Sequence, residues 1–139
     1  MNAGLRFMWI LKQEEVLQRD KTLRKRVGEL SSDKRFEFYK RANSKIKDPD
    51  TYAVLNYIII AGLHHFYLGK WMLGLLNIAI STAGIIMFVL GEQIVGTLFV
   101  AGILTFELHQ LFRSQIIVKH YNNKIKEQIY SSITGREPY

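Results

Sequence analysis

The feature that most restricts the fold of this chain is a 62-residue block, residues 51–112, that is almost free of charge. Its charged side chains are Lys70, Glu92 and Glu107. A soluble domain carries roughly one charged residue in four, so a block this long without charge cannot present an ordinary solvated surface. The block therefore predicts an integral membrane protein and argues against a water-soluble globule.

The uncharged block contains three apolar stretches: residues 52–63, 71–90 and 94–112. At about 1.5 Å per residue, a helix over 71–90 is about 30 Å long and matches the hydrocarbon core, whereas a helix over 52–63 reaches only about 18 Å. The short stretch must be extended in order to span the membrane; otherwise it forms a half-helix that ends within the membrane and packs against the other helices. The two longer stretches are joined by the polar turn Gly91-Glu92-Gln93, which predicts antiparallel neighbours.

The sequence therefore predicts an all-α fold, a transmembrane helical hairpin with two to three membrane segments. Small residues recur at a spacing of four within it, which is typical of close helix packing in membranes. The two stripes are Ala79 and Ala83 in the middle stretch, and Thr97, Ala101 and Thr105 in the last one. We expect these stripes to be packing surfaces.

Charge outside the block predicts orientation and domain organisation. Residues 1–50 carry 13 Lys and Arg against 8 Asp and Glu, so the positive-inside rule predicts a cytoplasmic N-terminal region. The tail after Phe112 is also basic, so the same rule favours the cytoplasm for it. Two cytoplasmic ends require an even number of membrane crossings, whereas the block has three apolar stretches, so the number of crossings stays open. Three regions are predicted: a basic cytoplasmic helical region (1–50), a membrane domain (51–113) and a basic C-terminal helical tail (114–139).

Both flanking regions have the periodicity of amphipathic helices. Trp9, Val16, Leu23 and Leu30 recur every seven residues within a predicted helix over 5–30. This seam fits a coiled coil or a partner-binding helix, but packing on the next helix or on lipid headgroups is the more common use of such a stripe. A second helix is predicted after Ser31-Ser32-Asp33, and the tail predicts a basic amphipathic helix.

A motif near the middle of the chain resembles a known family. It reads Gly62-Leu63-His64-His65-Phe66-Tyr67-Leu68-Gly69-Lys70. This is similar to the Gly-x-His-Arg-Phe-Tyr-Leu-Gly-Arg signature of the two-transmembrane domain family, with His65 in place of the usual Arg. Glu107 looks like the acid that this family carries in its second hydrophobic stretch. The resemblance implies a small helical-hairpin membrane protein, in a family mostly without an assigned biochemical activity.

Considered from the residues alone, the motif predicts an interfacial turn between two membrane helices. Tyr67 is an amphipathic aromatic suited to the membrane–water interface, and Lys70 can extend its charged end there. Gly69 permits a tight turn. The turn as predicted consists of Gly62, His64, His65, Phe66, Tyr67, Leu68, Gly69 and Lys70.

Glu107 is the residue that chemistry singles out, because an acid inside a membrane segment is costly unless it is paired or wetted. Its predicted partners are His64 or His65 from the turn, or Arg113. Two roles follow for Glu107, His64 and Arg113. They form a polar lock that fixes the helices together, which is the favoured interpretation, or they line a path for ions or protons.

Other chemistry is not expected. Adjacent histidines such as His64 and His65 should point in different directions on a helix, so no metal site and no cofactor are predicted. Cysteine is absent, and no phosphate-binding loop or hydrolase motif occurs, so we expect no catalytic residues and no enzyme activity. The basic flanks fit anionic lipid headgroups better than nucleic acid.

These observations predict a non-catalytic integral protein of the inner or plasma membrane that acts as a scaffold or accessory subunit of a larger complex. Its expected partners are anionic lipids together with other proteins or copies of itself. A homo-oligomeric ion or proton conductor using Glu107 and His64 is the first alternative. A regulator that binds anionic lipid through its basic helices is the second.

Overall fold

The computed structural model describes residues 12–57 and 62–139, and within these ranges the chain is helical, with no strand. The all-α class is therefore confirmed. The helices are α1 (Gln13–Gly28), α2 (Ser32–Asn43), α3 (Pro49–Tyr57), α4 (Leu63–Tyr67), α5 (Trp71–Val89), α6 (Gln93–Phe112) and α7 (Ser114–Thr134).

Local sequence signals explain several of these helix boundaries. Helix α1 has acidic residues in its first turn and basic residues in its last turn, as the helix dipole favours. Helix α3 begins at Pro49, whose fixed φ and missing N–H suit the first helical position. The predicted start of the first helix, near Leu5, and the seam residue Trp9 lie outside the described residues.

The chain divides into two compact units. The first, here called the terminal unit, consists of Met1–Asp48 and Ile116–Tyr139, of which residues 12–48 and 116–139 are described. The second, here called the hairpin unit, is Pro49–Gln115. The terminal unit thus combines two described segments, 12–48 and 116–139, that are far apart in sequence.

An apolar core joins α1, α2 and α7 within the terminal unit. Its buried residues are Leu23, Val27, Phe38, Ala42, Ile129 and Tyr130. Polar contacts add to this packing, because Asn123 Nδ2 donates to the Val16 carbonyl oxygen at 2.9 Å and Lys126 Nζ lies 3.5 Å from Asp20 Oδ1. Thus α7 packs along α1.

The described residues of the predicted seam, Val16, Leu23 and Leu30, pack inside the terminal unit. Val16 and Leu23 are each 1% exposed, and Leu30 packs against the edge of the same core. These three residues therefore pack within the terminal unit.

Helices α5 and α6 form an antiparallel pair in the hairpin unit. The turn between them contains Gly91, whose φ of 93° is accessible to glycine and rarely to other residues. Both helices are long and apolar enough to cross a membrane, and no other described helix meets that test. Most of their large apolar side chains are exposed, which is the arrangement expected of surfaces that face lipid.

The helices α5 and α6 approach each other at two glycines that sequence analysis did not single out. A Cβ on Gly96 would lie 2.6 Å from the Phe88 backbone nitrogen and 2.8 Å from the Gly84 carbonyl oxygen, so only hydrogen fits there. The predicted stripes lie elsewhere: Ala79, Ala83, Thr97, Ala101 and Thr105 are all exposed. The expectation that these stripes form the packing surface was wrong, because glycine lets the backbones approach more closely than alanine or threonine does.

Candidate functional site

A group of buried polar side chains lies inside the hairpin unit and is the best candidate for a functional site. We call it the polar cluster; its members are Tyr52, His64, His65, Asn77, Glu107 and Gln110, each 4% exposed or less. They come from α3, α4, α5 and α6. Polar groups inside such an apolar unit are costly unless they contact one another, so their convergence requires a physical explanation.

Helix α4 brings both histidines into the polar cluster. It begins after Gly62, which has a left-handed φ of 53° and whose added Cβ would lie 3.0 Å from the Asn77 Cβ. The ring centroids of His64 and His65 lie 4.0 Å apart, with their planes tilted by 43°. The expectation that adjacent histidines diverge does not describe these rings, since α4 has only five residues and packs both of them inward.

The rest of the predicted turn is divided between buried and exposed positions. The Phe66 ring packs against Gly74, where a Cβ would lie 2.5 Å from the ring, and Leu68 is 3% exposed. Tyr67 and Lys70 are half-buried, and Gly69 is exposed with a φ of 68°. The motif is thus a short helix followed by a glycine turn into α5.

Glu107 lies at the centre of the polar cluster. Its Oε1 accepts a hydrogen bond from Asn77 Nδ2, and its Oε2 lies 3.3 Å from His64 Nε2. The Ser81 hydroxyl is 3.5 Å from Asn77 Oδ1, a long hydrogen bond that helps to orient the amide. Of the predicted partners of Glu107, His64 is in contact, whereas Arg113 is half-buried just after the end of α6.

Tyr52 and Gln110 extend the polar cluster towards α3. The Tyr52 hydroxyl donates to Gln110 Oε1 at 3.2 Å, and its ring meets the His64 ring edge-on with centroids 5.2 Å apart. Tyr52, Asn77 and Gln110 were not among the residues predicted from the sequence. Asn77 carried a usable signal, because it is the one amide side chain in the uncharged stretch 71–90.

The electrostatic state of the histidines follows from their burial. Burial lowers the pKa of His64 to about 4 and the pKa of His65 to about 3, because an imidazolium loses hydration in the interior. Both imidazoles are therefore neutral at pH 7. A neutral imidazole can donate one hydrogen bond and accept another, or it can bind a metal ion through a lone pair.

Several atoms of the polar cluster keep unused bonding capacity. Both ring nitrogens of His64 and Oε2 of Glu107 are buried without a well-aligned hydrogen bond among the described residues. The contact between His64 and Glu107 is therefore close but not aligned. Chemically, the cluster can fix the helices together, pass a proton, or hold a cation.

Comparison with known proteins adds no assignment. No protein-family model, curated protein or solved structure matches this chain. The similarity of residues 62–70 and Glu107 to the two-transmembrane domain family therefore stays a prediction.

Proposed function

We propose that this chain is a small integral membrane protein whose helices α5 and α6 anchor the terminal unit at the cytoplasmic face, where that unit serves as a scaffold or accessory subunit of a larger complex. The observation that carries the proposal is that described segments from both flanks of the chain form one compact unit, while the other unit contains two long apolar helices. The polar cluster then acts as a structural lock.

The terminal unit supports an even number of membrane crossings. Helix α7 shares a buried core with α1 and α2, and such a core forms only if both chain ends lie on the same side of the membrane. Two crossings, by α5 and α6, satisfy this condition. Because both flanks are basic, the positive-inside rule assigns that common side to the cytoplasm of an inner or plasma membrane.

An aromatic face on α2 supports a protein partner. Phe36 is 70% exposed and Tyr39 is 49% exposed, although Phe38 between them is buried in the core. Tyr39 borders a groove of about 310 Å³ lined by apolar residues together with Asp20, Arg24 and Lys126. Exposed aromatic residues beside a mixed groove are characteristic of protein interfaces.

Membrane extraction of the full-length chain tests the scaffold function. The protein is extracted from its native membrane in nanodiscs, and the mass and composition of what co-purifies are determined. We expect a second protein at fixed stoichiometry with the wild type, and its loss with the double variant Phe36→Ser/Tyr39→Ser. A mass equal to one chain plus lipid contradicts the scaffold proposal.

The matched control changes two exposed lysines on the same helix, Lys34→Ser/Lys40→Ser. This control should retain the partner, because it leaves the aromatic face unchanged. Loss of membrane association in the lysine variant alone would instead support the alternative that the chain regulates through anionic lipid.

Ion or proton conduction is the second candidate, and the close approach of His64 to Glu107 favours it. A buried carboxylate next to an imidazole is the kind of pair that relays protons in membrane proteins. Proton flux into liposomes should then disappear in Glu107→Gln. If liposomes that contain the wild-type chain show the same proton flux as empty liposomes, conduction is rejected and the structural role of the polar cluster stands.

A further inference from the structure

The polar cluster contains more ligand atoms than its own hydrogen bonds use. Both ring nitrogens of His64 and Oε2 of Glu107 are buried without a well-aligned hydrogen bond among the described residues, and both side chains are 1% exposed. Buried polar atoms without partners are rare in folded proteins, and a bound ion is one of the few explanations for them. The proposed scaffold function does not require these atoms.

The geometry brings three metal-ligating groups to one point. One ligand atom from each of His64, His65 and Glu107 lies within 4.8 Å of the others. In a tetrahedral zinc site, bonds of about 2.1 Å place ligand atoms roughly 3.4 Å apart. Rotation of the two imidazoles and the carboxylate that moves each ligand atom by about 1 Å would bring the three atoms to the spacing of a tetrahedral site.

The neighbours of Glu107 resemble the outer shell of a metal site. Asn77 Nδ2 binds Oε1 of Glu107, which fixes the carboxylate and leaves Oε2 directed at the His64 imidazole. Such outer hydrogen bonds orient the ligands in metalloproteins and contribute to affinity.

We propose that His64, His65 and Glu107 bind one divalent transition-metal ion, with Zn²⁺ as the ion of first choice. Two imidazole nitrogens and one carboxylate oxygen are a recognised zinc ligand set that leaves a fourth position open. Imidazole ligands select against Mg²⁺ and Ca²⁺, which prefer oxygen. The single carboxylate offsets part of the charge of the buried ion.

Zinc titration of the full-length chain tests this site. The protein is purified in detergent micelles with an affinity tag that contains no histidine, and Zn²⁺ is titrated in competition with a chromophoric chelator. We expect one Zn²⁺ per chain. His65→Gln and Glu107→Gln should each weaken binding by more than about 100-fold, since even outer-shell changes cost 10–100-fold.

The control variant is His109→Gln, which removes a histidine two residues from Glu107 but outside the ligand group; it should bind Zn²⁺ as the wild type does. Glu107→Gln keeps a carbonyl oxygen for the Asn77 amide, so this variant should stay folded by circular dichroism and size-exclusion chromatography. Co²⁺ in place of Zn²⁺ should give the strong visible absorption of a four-coordinate site in the wild type and none in Glu107→Gln.

Two results would overturn the proposal. One is a wild-type chain that binds Zn²⁺ no more tightly than folded Glu107→Gln. The other is binding that disappears in His109→Gln while it persists in His65→Gln, because the ion would then be held elsewhere.

Discussion

At the scale of single residues, the molecule depends on polar side chains placed where the sequence is otherwise apolar. Glu107 and Asn77 lie on different helices of the hairpin and hydrogen-bond to each other inside it. The net contribution of such a buried hydrogen bond to stability is small. Removing one partner costs more, because the other partner is then buried without that hydrogen bond.

The first prediction concerns this pair. Glu107→Leu should lower the free energy of unfolding by about 1–3 kcal/mol, because the Asn77 amide loses its buried acceptor. Asn77→Leu should cost a similar amount. Unfolding followed by circular dichroism in micelles measures both.

The double variant Asn77→Leu/Glu107→Leu separates a lock from two independent sites. It should be less destabilised than the sum of the single variants, because neither Asn77 nor Glu107 is then left buried without the other. Additive effects would show that Asn77 and Glu107 do not act as a pair.

At the scale of helices, the hairpin depends on backbone approach between α5 and α6. Gly96 and Gly84 bring the two backbones together at a point where no side chain fits. Overlap at Gly96 cannot be relieved by a rotamer change, because the nearest atoms to its added Cβ belong to the backbone of α5.

The second prediction is that Gly96→Ala weakens the hairpin by about 1–3 kcal/mol, the usual cost of overpacking. Gly102→Ala on the same helix is the matched control, because no atom lies within 4 Å of its added Cβ. It should be neutral or stabilising by up to about 1 kcal/mol, since alanine favours the helix. Equal effects of the two substitutions on thermal unfolding would contradict close packing at Gly96.

At the scale of the whole molecule, helices from both flanks of the hairpin unit contribute to one core. Helices α1 and α2 pack with the C-terminal helix α7, so the stability of the two ends is linked. The same packing bears on topology, because two segments that share a core must lie on one side of any membrane.

The third prediction uses the absence of cysteine from the chain. Single variants Ser44→Cys and Arg136→Cys change exposed positions near the two ends of the terminal unit, and Glu92→Cys changes the turn between α5 and α6. An impermeant thiol reagent should label the first two from the cytoplasmic side and the third from the opposite side. Labelling of Ser44→Cys and Arg136→Cys from different sides would contradict two crossings.

The fourth prediction links the two chain ends through their core. Leu23→Ala should lower the stability of the terminal unit by about 2–5 kcal/mol, because Leu23 is 1% exposed in that core. Amide hydrogen exchange should then speed up in α7 as well as in α1. The exposed Lys25→Ala is the control, and unchanged exchange in α7 with Leu23→Ala would argue against a shared core.

The sequence by itself determined the helical class and the two long apolar helices. The stretches 71–90 and 94–112 were located to within a residue at each end, because length and lack of charge are local properties and the polar turn at Gly91 marks the break. It also predicted a partner for Glu107, since an acid in an apolar segment needs one, but it left His64, His65 and Arg113 as alternatives.

Only the tertiary structure decided which surfaces meet. Gly84 and Gly96 form the close contact in place of the alanine and threonine stripes, and Asn77 reaches Glu107 from a helix 30 residues away in sequence. The two histidines converge, and α7 folds back onto α1. The spacing of residues along one helix cannot reveal these contacts, because each contact joins segments that are distant in sequence. Which helix faces meet depends on how the whole unit buries its apolar side chains and pairs its buried polar ones.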